Sequence, residues 1–170
     1  MQQASHALVI GGSMAGLLAG RVLANHFDQV TIIERDFFPE EPAPRQGIPQ
    51  SRHLHLLLTR GRTILEQLFP GLQNELVAAG APILDSAVDT AWFSPAGWAI
   101  RFNPDLTGLV FTRELLDWTV RRRLAAFENV RFLEGAAVTG LLVNSDEAGV
   151  AGVSVRFRDC SEAGRTYEEN

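Results

Sequence analysis

Apolar and polar positions along this chain follow two different periods. "HALVI" is a short apolar run that ends in Gly11, the pattern of a buried parallel strand. From Met14 to about His26 the apolar residues fall at Leu17, Leu18, Val22 and Leu23, which is helical spacing. "HFDQ" turns the chain, and "VTIIE" is a second strand rich in β-branched residues. Strand, helix and strand therefore fit within residues 7 to 34, the length of a tight βαβ unit.

"FFPEEPAPRQGIPQ" is too dense in proline for regular structure. Helical spacing returns over Arg52 to Leu68, "FPG" stops it, and a short helix is predicted over Leu72 to Ala79. Between Val88 and Val110 the pattern is that of strands around a hairpin turn at "SPAG". "TRELLDWTVRRRLAAF" predicts the clearest later helix, with Thr112 as its N-cap and Arg113 just inside. "VRFLEG" returns to strand. "AVTGLLV", "VAGVSVRFR" and a segment near "RTYEE" then predict a meander of short strands. The expected class is α/β: a Rossmann-like βαβ core with a parallel sheet, plus a small antiparallel β-meander. The sequence stops inside the last predicted strand, which reads as a truncated domain.

Composition narrows the function classes. The 170 residues suffice for one domain with a sizeable core, and 46% apolar with 21% charged is ordinary globular usage. A net charge of -5 argues against a nucleic-acid partner. All fifteen basic residues are arginine, a compositional habit and not a binding patch. A single cysteine, Cys160, cannot form an internal disulfide, and nothing beside it would activate its thiol. No signal peptide is legible, and no segment approaches the roughly 20 apolar residues of a membrane helix. These features predict a cytoplasmic chain with no integral membrane segment.

The candidate chemistry lies in "GGSMAG". A G-x-G-x-x-G loop binds phosphate because a helix N-terminus offers free N–H groups and the positive end of the helix dipole. Gly11 and Gly16 take the first and third glycine places, and Ser13, preceded by Gly12, takes the second. Serine is a small replacement whose hydroxyl can donate to a phosphate, provided Ser13 need not adopt a positive φ. Met14 and Ala15 complete the loop. Gly20, one turn beyond Gly16, predicts close packing of helix on strand. Glu34 stands 18 residues after Gly16, where an acid accepts from ribose hydroxyls and repels a 2′-phosphate. Loss of Glu34 is expected to weaken nucleotide binding without unfolding the domain.

Two features favour FAD over NAD: the irregular arm after Glu34-Arg35-Asp36, and the meander after "FLEG". "VIGGSMAGLLAGRVLANHFDQVTIIERD" resembles the N-terminus of group A flavoprotein monooxygenases. "PRQGIPQSRHLHLLLTRGRTILEQLFPGL" and "TRELLDW" resemble the subgroup with squalene-epoxidase-like and polyether epoxidases. The resemblance implies that Gly11 to Gly16 hold the FAD pyrophosphate, Glu34 the adenosine ribose, and Arg35 the adenine. It implies that Arg45 or Arg52 reaches the cofactor from the arm, that Arg113 contacts the flavin nucleotide, and that the Val138 backbone touches adenine. It further implies NAD(P)H as reductant, O2, and a small organic substrate. Residues 1–170 would be the N-terminal part of an FAD/NAD(P)-binding domain, with a β-hairpin insertion around 88–110 on the substrate side. The family's later Gly-Asp motif is absent from the sequence, so this piece by itself is expected to be inactive.

Other residues read more plainly. His53 and His55, two apart on the predicted helix, would face different ways, and no metal site is expected. Arg121, Arg122 and Arg123 read as a solvated helix face near a C-terminus. Trp92, Trp98 and Trp118 read as core more readily than as pocket lining. No catalytic side-chain arrangement is legible, which fits chemistry carried by a cofactor. The alternatives are another flavin oxidoreductase (halogenase, reductase or dehydrogenase) or a non-catalytic nucleotide-binding module.

Overall fold

A computed structural model describes residues 5–101, 107–144 and 149–158. Cys160 and the third meander strand near Arg165 lie outside the described residues. The chain runs β1 (His6–Ile10), α1 (Met14–Leu23), β2 (Gln29–Ile33), a 3-10 turn (Pro49–Arg52), β3 (Leu54–Leu57) and α2 (Thr59–Leu68). It continues with α3 (Leu72–Ala78), β4 (Ile83–Asp85), β5 (Phe93–Ser94), β6 (Gly97–Trp98) and β7 (Thr107–Thr112). Last come α4 (Arg113–Leu124), β8 (Val130–Leu133), β9 (Ala136–Val143) and β10 (Val150–Phe157). This is a mixed α/β fold with one parallel sheet and separate antiparallel sheets. No helix among the described residues is long and apolar enough to cross a membrane.

Two compact units form. The first comprises Met1–Glu41, Arg45–Ile48 and Arg121–Asn170. Its parallel sheet has the order β1-β2-β8, with Ile10 opposite Ile33 and Ile33 opposite Leu133. β2 is central and reads as a continuous buried run, as a strand covered on both faces should. Leu17 of α1, Val30, Ile32 and Leu124 are fully buried, whereas Val22 is exposed. Gly20 supplies the expected close approach: a Cβ there would lie 2.7 Å from Ile32 Cδ1. β9 and β10 pair antiparallel, and Ile33, Ala136, Val153 and Val155 share one apolar cluster.

The second unit comprises Pro42–Pro44 and Pro49–Val120. Its sheet has the antiparallel order β3-β7-β4. The "SPAG" turn closes the β5–β6 hairpin, with Phe93 opposite Trp98. The helix expected over Arg52 to Leu68 is corrected: it begins at Thr59, and Leu54–Leu57 is a strand. "HLHLLL" satisfies either period, but alternation of exposed Leu54 and Leu56 with half-buried His55 and Leu57 belongs to a strand. β4 goes beyond the predicted elements, because three residues are too few for a periodicity to register. Trp92 and Trp98 are also corrected, since both are about two-thirds exposed and neither is core.

Candidate functional site

The β1–α1 junction is built from four residues with different backbone needs. Gly11 donates its N–H to Ile33 O at 2.8 Å, extending the β1–β2 ladder by one rung. It then turns the chain with φ +100°, a conformation that L side chains rarely adopt. Gly12 is buried, and a Cβ there would lie 2.4 Å from Phe38 Cζ. Ser13 is extended, with φ -88° and ψ -176°, so no glycine is required at that place. A Cβ on Gly16 would lie 1.8 Å from Gly11 O, so the loop closes only over a bare Cα.

Ser13 is the N-cap of α1 but makes no side-chain cap hydrogen bond, and the first turn holds no acidic residue. Leu17 donates the first helical bond, to Ser13 O at 2.9 Å. Among the described residues no acceptor meets the N–H groups of Ser13, Met14, Ala15 or Gly16. These donors, with the helix dipole behind them, make the junction a ready anion site.

Glu34 ends β2 beneath the junction and is 7% exposed. Its Oε2 accepts from Gly12 N–H at 2.7 Å and its Oε1 from Asp36 N–H at 3.0 Å. Oε1 keeps a second lone pair for a further donor. Arg45 comes from the irregular arm, with Nη1 at 3.5 Å from Glu34 Oε2 and Nη2 donating to Gly12 O at 3.0 Å. Its guanidinium also covers the Phe38 ring, 4.8 Å from the centroid.

A cleft of about 380 Å³ opens there and gathers Gly11, Ser13, Glu34, Arg35, Arg45 and Val138. Gly12, Met14, Ala15 and Gly16 form the loop and helix start that lead from it. Arg113 and Arg52 belong to the second unit. Arg113 Nε donates to Asp117 Oδ1 at 2.8 Å, within α4 itself. Sequence reading missed the far wall. Asp36, buried, accepts from Gly47 N–H at 3.0 Å and from Arg158 Nη1 at 2.9 Å, holding the arm against β10. Gly47 and Ile48 of the arm and Ala136 and Ala137 of β9 complete the lining. The available signal was the pair of acids in "ERD", of which the first alone was read as functional.

Two side-chain readings change. Arg121 is not a solvated cation: it covers the Phe38 ring at 4.9 Å and donates to Pro39 O at 2.6 Å. Burial pulls its pKa below the ordinary arginine value, against the charge of Glu134 and with that of Arg45. His55 lies on a strand, not a helix, stacks on Phe111, and shares a 2.7 Å hydrogen bond with His53 O. Among the described residues no group of three or more His, Cys, Asp or Glu could hold a metal ion.

No protein-family model matches the chain. Protein Rv3254 of Mycobacterium tuberculosis is 42% identical over 132 residues, which is 75% of this chain and 28% of that protein. The chain thus spans less than a third of the relative's length. PqsL of P. aeruginosa, solved in complex with 2-aminobenzoylacetate, gives a TM-score of 0.65 at 15% identity, over 89% of this chain and 38% of that one. The flavin-dependent monooxygenase PieE, solved with FAD and substrate, gives 0.63 at 19% identity, over 96% and 28%. The flavin-dependent halogenase CmlS gives 0.60 at 24% identity, over 98% and 28%. At these identities the likeness establishes the fold: the chain is built as part of the same α/β architecture as these flavin-dependent enzymes.

Proposed function

We propose that this chain is the FAD-binding part of a flavin-dependent monooxygenase or epoxidase of the group A type. The observation that carries this reading is the row of N–H groups from Ser13 to Gly16, which meet no acceptor among the described residues and open beside the buried Glu34 carboxylate. An anionic pyrophosphate fits the first, and ribose hydroxyls fit the second. The residues present therefore suit FAD. The loop N–H groups and the Ser13 hydroxyl would hold the pyrophosphate, and Glu34 would accept from the ribose. Arg35 and the Val138 backbone would flank the adenine, and Arg113 would serve the flavin nucleotide. Bound FAD would supply the redox chemistry, taking electrons from NAD(P)H and passing oxygen from O2 to a small organic substrate. The hairpin near 88–110 would lie on the substrate side of the whole protein.

The test is a titration of the chain and of the full-length protein with FAD and with ADP. Saturable binding, and flavin absorbance in the purified full-length protein, are expected. A full-length protein that retains no flavin after incubation with FAD and removal of the unbound cofactor refutes the reading. The likeness to CmlS favours a halogenase as the second reading. Oxygen consumption coupled to an oxygenated product, with no halide requirement, decides between them.

A further inference from the structure

Two buried side chains grip the same glycine. Gly12 gives its N–H to Glu34 Oε2 at 2.7 Å, and its carbonyl takes Arg45 Nη2 at 3.0 Å. The triangle closes between Arg45 and Glu34 at 3.5 Å, with both side chains less than 10% exposed. Phe38 packs on the Cα of Gly12 and is itself held, its N–H on Glu134 Oε2 at 2.7 Å and its ring edge-on to Phe132.

Peptide planarity converts these contacts into orientation. In a trans peptide the C=O and the following N–H point in opposite directions, and no peptide bond among the described residues is cis. Glu34 draws the Gly12 N–H inward, so the Gly11 carbonyl faces α1, where only the bare Cα of Gly16 leaves room. Arg45 draws the Gly12 carbonyl to itself, so the Ser13 N–H faces the opposite way, with no acceptor among the described residues. We infer that Arg45 is a positioning residue, which sets the Gly12–Ser13 peptide so that the Ser13 N–H is aimed at a bound pyrophosphate. This rests on the nucleotide reading above.

The role differs from a charge contact with the phosphate. Arg45 bridges a carbonyl oxygen and a carboxylate oxygen with two separate nitrogens of one planar fork, whereas a lysine must meet both oxygens from one nitrogen on a shorter side chain. Lysine at 45 would keep the positive charge beside the site and lose the bridge.

The experiment uses the full chain, with ADP and adenosine as probes, in wild type, Arg45→Met and Arg45→Lys. Amide hydrogen exchange at Gly12 is measured in the same three proteins without ligand. The ratio of adenosine to ADP dissociation constants, which reads the phosphate contribution, is expected to fall about tenfold in both variants. Gly12 amide protection is expected to fall with it. An unchanged ratio in Arg45→Met overturns the inference, as does full recovery in Arg45→Lys, which would make Arg45 a charge contact. A wild-type chain that binds neither probe overturns the nucleotide reading and this role together. Thermal melting identifies a variant that fails to fold; where Arg45→Met does so, Arg45→Lys carries the comparison.

Discussion

Two of the strand-to-helix junctions among the described residues, β7–α4 and β1–α1, face the same physical problem and solve it differently. At β7–α4, Thr112 accepts the Leu115 N–H on its own hydroxyl at 3.3 Å, and Glu114 and the Arg113–Asp117 pair complete the first turn. At β1–α1, Ser13 caps nothing with its side chain, no acid stands in the first turn, and four N–H groups lack acceptors among the described residues. Orphan donors at a helix start normally find side-chain partners. The first junction therefore carries a side-chain cap of its own, and the second carries none. The open junction is also braced by side chains from outside its own helix. Its backbone is held by Glu34, Arg45 and Phe38, so the donors are fixed in place before a ligand arrives.

The largest way to break the contrast is to fill the glycines of the open junction. Gly16→Ala would place a Cβ 1.8 Å from Gly11 O, and Gly11→Val would force a β-branched residue to φ +100°. Both should abolish FAD binding, and Gly16→Ala should cost about 3 kcal/mol of stability by overpacking. Urea unfolding and FAD titration check the two effects separately. Gly16→Ala that binds FAD and melts like wild type would show that the loop is placed wrongly. Next comes Glu34→Ala. It should weaken FAD by about 1.5–3 kcal/mol through lost charged hydrogen bonds. The burial of Glu34 adds a second effect that its place in the sequence did not predict. Removing it takes one acceptor from Arg45 and leaves the Gly12 N–H unmet, so stability should fall by about 1–3 kcal/mol as well.

That difference shows what was legible and what was not. The βαβ unit was readable because β2 is a buried β-branched run and Gly11, Gly16 and Glu34 are spaced by the geometry of one turn and one helix. Thr112 was readable because a cap is a local event. Arg45, Asp36 and Gly47 meet through an irregular arm, and no period governs which arm residue folds back onto which carboxylate. The same limit hid β3, since "HLHLLL" fits two periods and pairing with β7 decided between them. It also misplaced Arg121, whose aromatic partner is 83 residues away in sequence at Phe38.

The smaller substitutions sharpen the contrast by exchanging one cap for the other. Thr112→Ala should cost about 1 kcal/mol, the usual loss of an N-cap. Ser13→Ala should change stability by less than about 0.5 kcal/mol, because no cap bond is lost. Ser13→Gly should bind FAD at least as well as wild type, whereas Ser13→Val should obstruct the pyrophosphate. Thermal melts and FAD titrations distinguish these outcomes. Equal stability losses at 13 and 112 would mean that the two junctions are built alike.

The smallest effect separates the fold from the site. At the far end of β1, Asp28 Oδ2 accepts from Ser5 N–H at 2.7 Å and from Ser5 Oγ at 2.9 Å, tying the start of β1 to the start of β2. The Ser5 backbone and hydroxyl bonds hold the Asp28 carboxyl below its ordinary pKa of 3.8. A depressed folded-state pKa gives stability that is present above the unfolded value and lost as pH falls through the folded one. Wild type should therefore be slightly more stable than Asp28→Asn at neutral pH, and the gap should close below 3.8. Asp28 is fully solvent-exposed, so the gap should be small and should shrink further in salt. FAD affinity at neutral pH should be the same in both proteins, because the Ser5 clamp steadies the first end of β1 while Glu34 and Arg45 set the loop that follows its last residue. A loss of affinity in Asp28→Asn would mean that the loop is not held locally, and that its donors depend on the whole length of β1.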